Sequence, residues 1–208
     1  MHALLTLWFG WVREGGYLGI VILMAMESSI FPVPSEIVIP PAAFWAAQGQ
    51  FNFWLVIFAG ILGSWIGSAL TYWVARCWGR PLLLKYGKYF LISEDQLLRS
   101  ERWLERYESS GLFFARLLPV VRHLISIPAG MVRMNFAMFS LMTVMGSGIW
   151  CLFLALLGRE AIGSHPELMD NPEQLMIFIK EQSLWLVALV LFLALLYFVV
   201  LKLTQKPT

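Results

Sequence analysis

The stretch from Gly111 to Phe139 reads GLFFARLLPVVRHLISIPAGMVRMNFAMF, and its reading decides the fold. It is nearly all apolar, yet it carries Arg116, Arg122 and Arg133 and is cut by Pro119 and Pro128. An arginine at the centre of a membrane helix costs roughly 3 kcal/mol or more, and a proline removes a backbone hydrogen bond. Such a segment persists at membrane depth only if it is broken, packed in protein, or lines a wet cavity. Two fixed cations in an apolar hairpin call for an anion. In a membrane the commonest anion of suitable shape is a lipid phosphate.

Composition supports a membrane setting. Of 208 residues, 59% are hydrophobic and only 13% charged, far from the balance of a soluble domain. This is the composition of an integral membrane protein. A net charge of +2 gives no basic footprint for a nucleic-acid partner. Cys77 and Cys151 lie in apolar runs without metal-ligand spacing, so neither a disulfide, a metal nor another cofactor is expected. The opening residues, MHALLTLWFGWVREGG, have no basic region before an apolar core and no small-residue cleavage site; no removed signal peptide is expected.

Residues 1–16 read as an amphipathic helix at the interface, with Trp8 and Trp11 at headgroup level and Gly15-Gly16 ending it. A transport domain over 17–158 follows. The run Tyr17 to Met26 is too short to cross alone. From Glu27 to Gln50, Pro32, Pro34, Pro40 and Pro41 forbid one regular helix, so 27–50 is read as a re-entrant hairpin. The span 52–78 carries Gly63-x3-Gly67, which lets another helix approach closely. The loop Arg76 to Ser110 is the most basic and is expected on the cytoplasmic side, with a capping box at Ser93–Gln96 opening a surface helix over 93–108. Residues 111–133 form the second re-entrant segment and 135–157 the next span, close-packed at Gly146, Ser147 and Gly148. The acid-rich stretch Arg159 to Gln182 fits the outer side. A last span over 184–201 leaves Lys202 and Lys206 inside, while Arg13 and Glu14 cancel and leave the N-terminal orientation open.

The two interrupted segments resemble each other. Pro32 is followed nine residues later by Pro41-Ala42, and Pro119 nine residues later by Pro128-Ala129. Each leads to Asn-Phe, at Asn52-Phe53 and Asn135-Phe136, and from each Asn the pair Gly-Ser recurs at one distance, at Gly63-Ser64 and Gly146-Ser147. The expected architecture is therefore all-α. It has two oppositely oriented re-entrant helical hairpins and spanning helices, related as the inverted repeats of a transporter.

The chain also resembles the DedA family of membrane proteins, known too as the SNARE-associated or VTT-domain family. Glu27-x4-Pro-x-Pro-Ser-Glu36 is similar to its first acidic motif. Phe114-Ala-Arg116-x2-Pro119-x2-Arg122, then Ala129-Gly130-x3-Met134-x4-Phe139, is similar to its second motif, and Gly63-x3-Gly67-x4-Tyr72-x6-Gly79 to its linking helix. Two positions depart. Many members carry an acid where this chain has Ser68, and glycine where Ala75 stands. The resemblance implies a lipid translocase of the bacterial inner membrane; an enzyme such as a lipid phosphatase is disfavoured by the residues themselves, with 3 histidines, no His pair near a Ser or Asp and no His-Glu-x-x-His. Members are associated with returning undecaprenyl phosphate to the cytoplasmic leaflet and with proton-motive force. It maps the essential acids and arginines onto Glu27, Glu36, Arg116 and Arg122.

The residues themselves allow the same mechanism. Guanidinium forks suit phosphate oxygens, so Arg116 and Arg122 are the candidate phosphate ligands, brought together by breaks at Pro32, Pro34, Pro41, Pro119 and Pro128. Glu27 and Glu36 are expected to face them from the other hairpin, closing the empty site as ion pairs. A carboxyl shielded from water holds a proton more readily, which offers proton coupling. His123 is an accessory candidate, as proton relay or phosphate donor, against a packing role. Arg133 is a second accessory candidate, expected to reach headgroups at the hairpin exit. The expected partners are a polyprenyl phosphate or phospholipid headgroup, and protons; monomer and homodimer are both compatible. A phospholipid scramblase, for example of phosphatidylethanolamine, is an alternative. So is a proton-coupled transporter of small ions or cationic drugs, although buried arginines repel cations. A fixed salt-bridge cluster that only holds the hairpins together is the structural alternative.

Overall fold

The computed structural model describes residues 2–29, 33–86, 111–118, 121–164, 174, 177–182 and 188, without the side chains of 2–6, 79–86, 123 and 161–164. Pro32, Pro119, the expected 93–108 helix and 184–201 span, and the His123 side chain lie outside what is described. The described chain is helical, with no strand.

Helix α1 runs His2–Glu27. Its one departure is Gly16, at φ 57° and ψ −140°, a conformation open to glycine alone. The break that the Gly15-Gly16 pair signals is therefore one residue long. Counted across it, Leu7–Glu27 has the length and composition to cross a membrane, as do Phe53–Trp78 and Phe136–Glu160. The chain is a multi-pass membrane protein.

After Glu27 the Ser28-Ser29 turn stops α1, and the Ser29 hydroxyl donates to the freed Ala25 carbonyl at 2.7 Å. Pro34 is extended (φ −78°, ψ 125°) and leads into a 3-10 turn at Ser35–Ile37. Helix α2 (Ile39–Ala47) then begins with Pro40 and Pro41 in its first turn. There the missing N–H groups have no helical partner to lose, so these prolines start the helix. Pro128 differs: Ile125, the one residue between α5 (Val121–Leu124) and α6 (Ser126–Met131), is itself helical at φ −63° and ψ −20°, and Pro128 lacks the N–H that would return to Leu124, so it stands at that interruption. In the first segment the interruption lies before Pro41, at residues 28–38. Helix α3 is Phe53–Tyr86. The second interrupted segment is α4 (111–116), α5 (Val121–Leu124) and α6 (Ser126–Met131), followed by α7 (Phe136–Ser164).

The two segments end alike. After α2, Gly49 takes φ 79°, and the N–H groups of Gln50 and Gly49 donate to the Trp45 and Ala46 carbonyls at 3.0 and 3.1 Å. After α6, Arg133 takes φ 54°, and Met134 and Arg133 donate to Ala129 and Gly130, both at 3.1 Å. Both are left-handed turns that satisfy the last helical carbonyls. Each next helix is capped by asparagine: Asn52 Oδ1 accepts from Trp54 and Leu55 at 3.0 and 3.3 Å, Asn135 Oδ1 from Ala137 and Met138 at 2.9 and 3.2 Å. Arg133 is exposed and forms the turn itself.

Packing crosses over between the segments. Helix α2 lies on α7, whereas α6 lies on α3. The second half of α1 lies against α3, where added side-chain carbons at Gly63 and Gly67 would collide with the backbone of Val21 and Ala25. Gly63-x3-Gly67 is therefore the seat of α1. One apolar core joins α1, α2, the start of α3 and the end of α7 around Ile39, Val56, Trp150 and Leu154. A second joins Tyr72, Leu112, Ile125, Ala129 and Phe139. The outer faces of α3 and α7 are apolar and exposed, as a lipid-facing surface requires, and Trp54 and Trp78 mark the ends of the α3 span. At 1.5 Å per residue those two lie about 36 Å apart, close to the thickness of a bilayer.

Gly67→Val drives a side chain into the Ala25 backbone, which has no flexible end to move. Overpacking of this kind costs about 1–3 kcal/mol. Detergent-solubilised Gly67→Val is expected to melt several degrees below the parent, and Gly10→Ala, with no atom within 4 Å, to melt no lower. Equal melting of Gly67→Val and the parent would remove α1 from that seat.

Candidate functional site: a buried arginine pair between two apolar cores

Between the two apolar cores lies a layer of buried polar side chains. Along α3, Ser64 and Ser68 fall between Ala59 of one core and Tyr72 of the other; along α7, Thr143 and Ser147 fall between Phe139 and Trp150. Both pairs sit about half way along the Phe53–Trp78 and Phe136–Glu160 spans. Burial of ionic groups at that depth demands partners for each.

Arg122 is held from three directions. Its Nη2 forms an ion pair with Glu27 Oε1, at the end of α1, and donates to Ser35 Oγ at 2.6 Å. Its Cζ lies 4.6 Å from the centroid of the Trp150 ring on α7. The same groups bond each other. Ser35 N–H donates to Glu27 Oε1 at 2.9 Å, and Trp150 Nε1–H donates to Ser35 Oγ at 3.2 Å. The end of α1, the 3-10 turn, α5 and α7 thus meet on one guanidinium. Glu27 and Arg122 are both buried, so each charge depends on the other.

Arg116 has a different cradle. Nη1 donates to Ser68 Oγ on α3 at 2.8 Å and to the Arg122 carbonyl at 3.3 Å; Nη2 donates to Ser126 Oγ on α6 at 2.8 Å. The guanidinium lies 5.4 Å from the Phe139 ring. It is 3% exposed, and among the described residues no carboxylate pairs with it. Its stem is tucked against Gly146, where a side chain would meet Arg116 Cβ at 2.6 Å. The Nε–H groups of both Arg116 and Arg122 are buried and unpartnered among the described residues.

Glu36 is also buried, beside Ser35, whose hydroxyl lies 3.5 Å from Glu36 Oε2. It pairs with no described arginine. The four charges that the sequence places in one quartet are therefore unequal: one tight ion pair, one arginine held by neutral groups, and one acid set apart. Pro34 lies at the break, in extended conformation, directly before the site serine.

Several contributors escape a reading for charge. Ser35, Ser68 and Ser126 supply the oxygen atoms around the guanidinium groups, and Trp150 supplies a face. Serine is common in close-packed membrane helices, so its hydropathy carries no signal. Ser68, where many members of the family carry an acid, is one of the two serines that hold Arg116. Nearby, Arg76 Nη1 donates to the Tyr72 hydroxyl at 2.7 Å, and that hydroxyl donates to the Met134 carbonyl, tying α3 to the turn before α7.

Residues 33–160 match the model of the VTT domain. The chain is 38% identical to undecaprenyl phosphate transporter A of Bacillus subtilis, over 82% of this chain and 84% of that one. It is 30% identical to the protein of the same name from Staphylococcus aureus, over 77% and 81% of the two chains. An alkaline phosphatase-like protein of Lactococcus lactis is 29% identical over 76% of each. No solved structure matches the chain significantly. With the model match covering more than half of its length, and Arg116, Arg122, Asn52 and Asn135 lying inside that match, the chain belongs to the VTT-domain (DedA) family of membrane proteins.

Proposed function

We propose that the protein is a translocase for a lipid phosphate, returning undecaprenyl phosphate to the cytoplasmic leaflet of a bacterial inner membrane. The observation that carries this is Arg116. A cation buried at half depth, and held by two serine hydroxyls and a carbonyl, lacks the charge that would offset its desolvation. An anion entering the layer supplies it. The names of the Bacillus and Staphylococcus relatives support a polyprenyl phosphate as that anion. The hydrocarbon tail stays among the exposed apolar faces of α3 and α7 while the head crosses the polar layer.

In this reading the two arginines do different work. Arg116 is the standing receptor, since no carboxylate must leave it. Arg122 is a latch, closed on Glu27 when the site is empty. A proton taken up by Glu27 releases the Arg122 guanidinium for phosphate and so couples transport to the proton gradient. Glu36, next to Ser35 at the interruption, is the second candidate for that proton. The end turns and asparagine caps that recur after α2 and α6, and the crossed packing of α2 on α7 and α6 on α3, support two inverted, re-entrant halves that move against each other. The basic loop and the C-terminus are assigned to the cytoplasm by their charge.

Leaflet exchange of a polyprenyl phosphate in liposomes containing the full chain tests the reading, with phosphatidylethanolamine in parallel. Arg116→Ala is expected to lower the rate more than tenfold, and Arg116→Lys to recover little, because an ammonium cannot span Ser68, Ser126 and the Arg122 carbonyl together. Exchange of both lipids would make the protein a scramblase using the same site. Steady release of inorganic phosphate from the lipid would favour a hydrolase, as the name of the Lactococcus relative suggests.

Coupling is tested by pH. If Glu27 must be protonated before Arg122 opens, transport by the parent rises as pH falls. Glu27→Gln, which cannot be deprotonated, is expected to work at a rate independent of pH. A Glu27→Gln profile that still follows the parent's would move the coupling to Glu36, and Glu36→Gln would then flatten it.

A further inference from the structure

The buried hydroxyls of the polar layer show what a hydroxyl does when it only packs. Thr71 Oγ1 donates to the Gly67 carbonyl one turn back at 3.0 Å, Ser147 Oγ to the Thr143 carbonyl at 2.7 Å, and Ser28 bonds Ser64 at 2.9 Å. Back-bonding to the preceding turn is the usual outlet of a helical threonine or serine. Thr143 does otherwise. It is fully buried, and its Oγ1 has no partner among the described residues. A hydroxyl left so forfeits about 1–3 kcal/mol, which a packing role gives no reason to accept.

Its surroundings say what it awaits. Phe139, Thr143 and Gly146 stand on one face of α7, at i, i+4 and i+7. The Arg116 side chain runs down that face. Its Cβ lies against Gly146 and its Cζ over the Phe139 ring. Thr143 stands on α7 between those two points, and Arg116 Nε–H is likewise buried and unpartnered among the described residues. The two outer nitrogens of the same guanidinium are already occupied by Ser68, Ser126 and the Arg122 carbonyl. A second open hydroxyl, Ser140 Oγ, lies one turn before Thr143.

We propose that Thr143 Oγ1 and Arg116 Nε are the paired donors that take the oxygen atoms of the substrate's phosphate monoester, making Thr143 a substrate-binding residue. This rests on the lipid-phosphate reading above and deepens it. A threonine hydroxyl and a secondary guanidinium N–H are both donors toward a phosphate oxygen, and no carboxylate stands among the residues that hold Arg116. The head of Arg116 is thereby fixed by the protein, and its inner edge is reserved for the ligand.

The test is titration calorimetry of the full chain in detergent. Farnesyl phosphate serves as a short polyprenyl phosphate and inorganic phosphate as the tail-free probe, with Thr143→Val, Thr143→Ser and Arg116→Ala beside the parent. Thr143→Val keeps the shape and removes the hydroxyl. It is expected to weaken farnesyl phosphate binding about tenfold, the scale of one hydrogen bond to a charged group. Its melting temperature is expected to stay level or rise, because an unsatisfied buried hydroxyl has been removed. Thr143→Ser is expected to restore most of the affinity. Parent-like binding by Thr143→Val, with Arg116→Ala defective, would overturn the assignment and leave the hydroxyl to water while the transport reading stands. Affinity and melting temperature falling together in Thr143→Val, unrescued by serine, would also overturn it, as a packing effect. Inorganic phosphate binding as tightly as farnesyl phosphate, with the same dependence on Thr143, would support the site and take the lipid tail out of the function. No binding of either probe by the parent would overturn both this assignment and the lipid-phosphate reading.

Discussion

One guanidinium organises the molecule. Arg122 is buried among apolar helices, where an unpaired charge is costly. The chain answers with Glu27 from the end of α1, Ser35 from the interruption and the ring of Trp150 from α7. Those contacts fix where α1 stops, since Glu27 must stand at its end. They fix the turn that follows, because Ser35 N–H also returns to Glu27. They also fix how α7 faces the first segment, because Trp150 bonds Ser35 as well. Removing one partner of such a pair leaves the other stranded, which is commonly far more damaging than replacing both.

Around that node the molecule separates structure from chemistry. Two apolar cores above and below carry the packing, and the polar layer between them carries the charge. The glycines of α3 hold α1 close. Gly146 makes room for the Arg116 stem, so a small residue in the second span serves a charged side chain directly. Serine at position 68 gives Arg116 a neutral partner where an acid would give it a counter-ion. Arg116 and Arg122, six residues apart in sequence, thereby acquire opposite characters: one held by neutral groups, the other paired with an acid.

The paired segments repeat more than a spacing of prolines. Both close with the same left-handed turn, at Gly49 and at Arg133, and both hand over to a helix capped by asparagine. That an arginine occupies the glycine-like position in the second segment shows the turn is held by its two backbone hydrogen bonds, not by the residue's own preference.

The sequence by itself determined the membrane class, the two interruptions, the principal spans and the identity of the buried charges. Hydropathy, proline chemistry and the cost of charge in hydrocarbon are local properties, readable one residue at a time. Of the prolines read as breaks, Pro34 stands extended at the first interruption, whereas Pro41 lies in the first turn of α2, where an absent N–H costs nothing. Only the tertiary structure decided the pairing. Glu27 rather than Glu36 reaches Arg122, Ser68 and Ser126 hold Arg116, and the buried Thr143 hydroxyl finds no partner among the described residues. These outcomes depend on distances across elements 10 to 95 residues apart in the chain, set by the crossed packing of α2 on α7 and α6 on α3. Serine and threonine carry no hydropathy signal that separates a ligand from a packing residue. The distinction arises only from whether each hydroxyl, once buried, has found a partner.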